Sequence, residues 1–302
     1  MSLHIAFINA LLVVAGTLFL SSMIVCTQAN AQETLIEVHA PFGVPECDQD
    51  SFHIRKAYLL CFDAEHRIPA WTMYYVKADY RNTPKREGKF SRFRPDPDIS
   101  NEAQDEEYMG LYNTLGYVRG HFTPYGVLGG DRDGDGIYAN LGSASDEDDE
   151  ITVFEGNYMS NIAPQHHRGF NGSPGLWWHL ERWIQDDMVL DEGEEAYVIA
   201  GSIIGPGEFE VVGPDYDISV PSMFYKIVSF KPKGNKPQRV LAFLFPHQQA
   251  KHGRIQDFLT SVNTIENLTG LDFFKEAEID EYEDTWLTWE KWFEQINSSH
   301  TR

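Results

Sequence analysis

Five short runs rich in β-branched and aromatic residues limit what this chain can fold into. They are Ala57–Phe62, Pro69–Tyr80, Ala196–Gly205, Tyr225–Phe230 and Val240–Phe245. Such side chains suit a pleated, half-buried surface. Asp63–Arg67 is the turn between the first two. Helical patterns lie elsewhere. Pro174–Met188 puts Trp177, Leu180, Ile184 and Met188 on one apolar face, with Pro174 near its start and Glu181 four residues after Trp177. Arg254–Leu268 reads as a helix stopped at Gly270, Thr285–Ile296 as a Trp-rich terminal helix, and 101–113 as a short helix with an acidic face. There is no internal repeat and no long linker. The expectation is a single α+β domain, a central antiparallel sheet flanked by helices.

The amino-terminal end reads differently. Residues 1–31 hold no Asp, Glu, Lys or Arg, and Ile5–Val25 is almost continuously apolar. Ala29-Asn30-Ala31 has the small-residue spacing of a processing site, so a signal peptide cleaved after Ala31 is expected. A retained membrane anchor is the alternative. Cleavage would leave a secreted or periplasmic protein without a membrane segment. It would also remove Cys26 and leave Cys47 and Cys61, an even pair in an oxidising compartment. A disulfide between them would tie the amino-terminal arm, residues 32–56, to the first strand; two unpaired buried thiols are the alternative. Asn267 and Asn297 head glycosylation sequons, which matter only in a eukaryotic host.

The formal net charge is -22. At low salt that charge repels a polyanion at long range, so a nucleic-acid ligand requires a local basic patch. Residues 81–98 supply the densest one: Arg81, Lys85, Arg86, Lys89, Arg92 and Arg94. The segment reads as a phosphate-contacting loop or as a solvated one. The stretch 126–150 is an acidic insert. Asp131, Asp133 and Asp135 stand at alternate positions with Gly136 behind them, which fits the first half of a calcium loop. The twelfth position is Gly142, so the loop is no complete EF-hand; Asp146–Glu150 could close a site, and a plain acidic turn is the other reading.

Between positions 117 and 181 lie the residues of a hydrolytic site. Phosphodiester hydrolysis needs a base for water, compensation of the phosphoryl oxygens and stabilisation of the leaving oxygen. His121 is the candidate base, since a neutral imidazole is available near neutral pH. Arg119 can pair bidentately with a phosphate. Asn171 offers one neutral oxygen ligand, which suits a cation that keeps most of its waters, and Glu181 can orient those waters. Taken singly, each of these residues has an ordinary structural reading.

Taken together, they carry a resemblance. Val118-Arg119-Gly120-His121, Ser160-Asn161-Ile162-Ala163-Pro164-Gln165 and Phe170-Asn171 with Trp177–Glu181 resemble, in order, the signature segments of the DNA/RNA non-specific endonuclease family, whose fold is of the ββα-metal type. Phe93-Arg94-Pro95-Asp96-Pro97, Val220–Lys226, Ala242–Phe245 and Ile265–Leu271 extend the likeness over roughly 57–275, leaving 276–302 as a helical extension. The resemblance implies an endonuclease that cuts DNA and RNA, with no stable protein partner. It implies His121 as general base, Asn171 as the Mg2+ ligand with Mn2+ as a substitute, and Glu181 as holder of a metal-bound water. Arg119 would stabilise the phosphate, Asn157 and Asn161 would shape the site or touch substrate, and Arg92 or else Arg94 would bind a second phosphate oxygen. Two departures stand out. Val118 replaces the motif's Asp, and extra residues separate Asn171 from Trp177. Two other readings remain: a catalytically weak, calcium-stabilised binding protein on the same fold, and a phosphodiesterase restricted to short nucleotides. His166 and His167 read as a loop pair or as a transition-metal contact.

Overall fold

The computed structural model describes residues 32–140, 146–215, 217–233, 238–249 and 253–277. The apolar leader, Cys26, Asn297 and the helix expected over Thr285–Ile296 lie outside these residues. No helix among the described residues is long and apolar enough to cross a membrane.

The chain enters through a helix over 32–39 (α1) and then lays down β1 (Phe52–Ile54), β2 (Leu59–Asp63) and β3 (Ile68–Val76). A ribbon of β4 (Tyr117–His121) and β5 (Ile162–His166) stands apart from the main sheet. The sheet resumes with β6 (Ala196–Ile203). A small pair, β7 (Val211–Val212) and β8 (Ile218–Ser219), precedes β9 (Met223–Phe230), β10 (Arg239–Pro246) and β11 (Leu259–Thr260). The seven main strands run in the order β1-β2-β3-β6-β9-β10-β11, and every pairing is antiparallel. All five sequence runs fall on these strands.

Alternation splits the sheet into two cores. On β9, Phe224, Val228 and Phe230 face the larger core with Phe170, Trp177 and Leu180, whereas Tyr225 and Ile227 face the smaller one with Val262, Ile265, Phe273 and Phe274. Full burial of each such side chain contributes roughly 1.5–3 kcal/mol. Residues 32–54, expected as a mere arm, do more than that. Ile36, Ala40, Phe42 and Val44 pack on the smaller core, and β1 completes the sheet edge. Cys47 and Cys61 form a disulfide with a Cα–Cα separation of 5.9 Å.

Several helices differ from expectation. The stretch expected as one helix over Arg254–Leu268 is a 3-10 turn at Ile255–Phe258, the strand β11, and then α5 (Val262–Thr269). Ser261 caps α5 by accepting the Thr264 N–H at 3.1 Å, and Gly270 ends it at φ +74°. Over 101–113 there is a 3-10 turn, Asp105–Tyr108, followed by α2 (Leu111–Leu115). At the end of the acidic insert a ten-residue helix, α3 (Glu147–Gly156), begins with Asp146 as its N-cap. Its first turn is wholly acidic, which complements the helix dipole. The helix expected from Pro174 starts at Leu176 (α4, Leu176–Arg182) and widens into a π-helical stretch, Trp183–Asp191.

Candidate active site

The site is built on the β4–β5 ribbon, in which Val118 pairs with Gln165, Arg119 with Pro164, Gly120 with Ala163 and His121 with Ile162. Strand alternation sends Arg119 and His121 to one face of the ribbon and Val118, Gly120 and Gln165 to the other. Helix α4 is pinned to the ribbon end, because the Trp177 indole N–H donates to the His121 carbonyl at 3.3 Å.

On the first face His121 is buried, its ring 5.5 Å from that of Phe93. Its Nε2 lies 3.3 Å from Asn157 Oδ1. The Asn157 amide nitrogen donates to the carbonyls of Phe90 and Val153 at 3.1 and 3.4 Å, so its oxygen must be the atom facing the imidazole. That makes Nε2–H the donor and leaves Nδ1 with the free lone pair. Burial, reinforced by the Arg86 charge, lowers the His121 pKa to about 3, against a smaller raising effect of the Asn157 hydrogen bond. The imidazole is therefore neutral at physiological pH.

Arg119 is half-buried beside Phe93 and Tyr108, 5.2 and 5.8 Å from their ring centroids. It ion-pairs with Asp105 and donates to that residue's carbonyl at 2.9 Å. The basic loop delivers a residue that the sequence reading passed over. The Arg86 guanidinium lies between the rings of Phe93 and Tyr125, at 5.1 and 5.2 Å, close enough to depress His121. No carboxylate pairs with it among the described residues. The Arg94 side chain instead donates to the carbonyls of Arg92 and Lys89 at 2.9 and 2.6 Å and covers the Phe154 ring, while Arg92 is exposed. Arg86 is thus the cation set against the imidazole, and only its place in a basic run hinted at it.

On the second face, the side chain of Gln165 lies directly over Gly120. A Cβ there would stand 2.1 Å from the Gln165 carboxamide carbon, so any larger residue displaces the Gln165 side chain. Asn171 donates its amide nitrogen to Gln165 Oε1. This leaves the Asn171 oxygen uncommitted to Gln165. Glu181 lies on α4 with one oxygen 3.1 Å from Lys226 Nζ. Lys226 is fully buried on β9 and sits 3.8 Å over the Trp177 ring. Burial raises the Glu181 pKa and lowers that of Lys226, and each partner's charge opposes the other's shift. A neutral amide oxygen and a carboxylate are donors of the kind that a hard, largely hydrated divalent ion takes.

Other residues hold these pieces in place. Asn161 is fully buried. Its oxygen accepts the Thr123 N–H at 3.0 Å, and its nitrogen donates to the carbonyls of Thr123 and Gly156 at 3.0 and 2.9 Å. Asn161 is thus bonded to the backbone throughout, whereas Asn157 joins the backbone to the His121 imidazole. Ser160 bonds Asp96, which pairs with Arg55 at 2.6 Å, so the Phe93–Pro97 segment is locked to the Ser160–Gln165 segment. His166 and His167 diverge. The first stacks between Tyr117 and His247 at 4.3 and 4.6 Å, and the second is exposed beside Tyr112. Asp131, Asp133 and Asp135 cluster in the insert.

A family model described as DNA/RNA non-specific endonuclease matches residues 37–279. Nuclease C1 of Cunninghamella echinulata var. echinulata is 25% identical over 247 residues, covering 79% of this chain and 88% of its own. Nuclease 1, mitochondrial, of Schizosaccharomyces pombe is 24% identical over 243 residues, covering 76% and 68%. Among solved structures, a chain of the EndoG/EndoGI complex superposes with a TM-score of 0.64 at 22% identity, covering 82% of this chain and 94% of that one, which supports the fold.

Proposed function

The chain belongs to the DNA/RNA non-specific endonuclease family and is a nucleic-acid-hydrolysing enzyme, and from that premise we propose that it is exported and cuts DNA and RNA with Mg2+ at the Asn171 side of the ribbon. The observation that carries this reading is the divided ribbon, with a neutral buried imidazole and two guanidiniums on one face and a tethered amide oxygen on the other. In this reading a substrate phosphate lies across β4 at Gly120, between the two halves.

In this reading His121 Nδ1 takes the proton from the attacking water, and the Asn157 hydrogen bond steadies the imidazolium that forms. Arg119 and Arg86 compensate the phosphoryl oxygens. Asn171 holds the ion through its amide oxygen, and Glu181 keeps the oxygen not taken by Lys226 for the ion's hydration shell. When bound, the ion supplies stabilisation of the charge that builds on the leaving oxygen. Contacts to phosphates carry no sequence information directly, which fits cutting without strong sequence preference. The Cys47–Cys61 bridge supports an oxidising destination.

The test is digestion of plasmid DNA and of RNA in Mg2+, Mn2+, Ca2+ and EDTA. Cleavage of both polymers in Mg2+, abolished by EDTA, is expected. Undiminished cleavage in EDTA, or none with any ion, removes the proposal.

A further inference from the structure

A cleft of about 550 Å3 opens where the chain enters β4. Its lining comes from Tyr112, Asn113, Thr114 and Leu115 of α2 and, from distant parts of the chain, Arg168 and Gln249. Glycines at both ends fix this short helix. Gly110 and Gly116 take left-handed backbone, at φ +86° and +82°. The Gly116 N–H donates to the Leu111 and Tyr112 carbonyls at 2.9 and 3.1 Å. The His167 N–H donates to the Gly116 carbonyl at 2.9 Å, which ties the loop carrying Arg168 to the same corner.

The cleft differs in chemistry from the chain as a whole. Net charge is -22, yet no acidic side chain lines it. Arg168 is exposed, and no carboxylate pairs with it among the described residues. Tyr112 is 47% exposed. The His167 ring stands perpendicular to it at 5.2 Å, and no ring stacks parallel on Tyr112 among the described residues. Asn113 and Gln249 add exposed side-chain amides, which both donate and accept. The cleft also adjoins the ribbon site. His167 packs on Gly172, where an added Cβ would stand 2.5 Å from its Cε1, and Gly172 follows Asn171. Gly116 precedes Gly120 by four residues, roughly 13 Å at the rise of a strand.

We propose that this cleft binds one unpaired nucleotide of the substrate strand, with its base stacked on Tyr112 and its phosphate held by Arg168. The inference rests on the nuclease reading and extends it to the form of the substrate. Every base has a π face, so a stacking platform tolerates any sequence. A base within a duplex is already stacked on its neighbours and reaches Tyr112 only if it is extruded, at a cost. The subsite therefore favours single-stranded DNA and RNA over duplex. Arg168 supplies local positive charge where an otherwise acidic protein must receive a polyanion.

Fluorescence anisotropy in EDTA tests this with three labelled phosphorothioate probes: a short DNA strand, the RNA of the same sequence, and the DNA duplex. Such probes report binding without turnover, so loss of this subsite and loss of the nuclease reading, which the digestion assay reads, are separate results. Wild type should bind both single strands about tenfold more tightly than the duplex. Tyr112→Ala should lose about tenfold on the single strands and leave the duplex near wild type, whereas Tyr112→Phe, which keeps the ring, should match wild type throughout. Arg168→Ala should weaken single-strand binding and lower the slope of log affinity against log salt by about 0.7. The subsite is overturned if wild type binds single strands and duplex equally, if Tyr112→Ala weakens both equally, or if Tyr112→Ala and Arg168→Ala bind single strands as wild type does.

Discussion

Val118 faces Gln165 across the ribbon, and the Gln165 amide nitrogen is buried there with no acceptor. The family pattern has Asp where this chain has Val118, on the same face of the ribbon as that donor. Val118→Asp should give that donor a partner and add negative charge on the Asn171 side. The Mg2+ concentration for half-maximal cleavage should fall by about tenfold. An unchanged or higher requirement would show that position 118 does not communicate with the ion.

His121→Ala should reduce kcat by at least about 100-fold with an unchanged circular dichroism spectrum. The pH profile offers a finer test. A base whose free-enzyme pKa is about 3 stays unprotonated as pH falls, so kcat/KM should hold level from pH 7 to about 5.5. An ordinary histidine near 6.5 would lose about tenfold over that range. Stability behaves otherwise. His39, His121 and His247 are each lowered to about 3 chiefly by burial. The unfolded chain takes up these protons near pH 6.5 and the native state only near pH 3. Stability should therefore decline as pH drops below 6.5 and keep declining towards 3, by about 1.4 kcal/mol per pH unit per group. Rates are to be compared where dichroism shows the chain folded.

Arg86, between two rings and beside the base, should matter more to substrate than Arg92. Arg86→Ala is expected to lower kcat/KM by about 10–100-fold, the worth of a charge-assisted hydrogen bond, whereas Arg92→Ala should stay near wild type. Steady-state cleavage of a short oligonucleotide reads both. The reverse ranking would return the phosphate contact to the exposed arginine.

Lys226→Met leaves Glu181 enclosed without its cation. The loss should be about 3 kcal/mol or more in urea denaturation, together with most of the activity. Adding Glu181→Leu should recover much of the stability and none of the activity. Recovery of both would mean that the pair serves packing alone.

Cys47→Ser opens the 14-residue loop closed by the disulfide and should cost about 3 kcal/mol. Dithiothreitol should lower the wild type to the variant's level and leave the variant unmoved. A variant as stable as wild type would show that sheet pairing alone holds this edge.

The strands were legible because their side chains declare a pleated surface, and the candidate site residues stood out because they recur in ordered motifs. What escaped depends on partners distant along the chain. Lys226 sits among apolar residues on β9 and reads as an outward-facing position. It is buried because Glu181 arrives from α4 to pair with it. Helix α3 was hidden because its buried side includes Asp149, Glu150 and Thr152, which erases the apolar stripe that betrays a surface helix. Arg86 and Arg92 look alike in a basic loop, since neither strand nor helix periodicity there says which way a side chain turns. The division of the site between two ribbon faces follows from the pairing of Arg119 with Pro164, a register that local sequence does not encode.

The Cys47–Cys61 link has one more implication. Cys61 sits on β2 opposite Phe52 of the outermost strand β1, which is three residues long. A free sheet border is a template on which foreign strands polymerise. Here the border is brief, and the polypeptide leading into it is covalently clasped to the neighbouring strand, so it cannot peel back and lengthen the exposed ladder. The staple that adds stability also guards this flank against fibril growth in crowded surroundings.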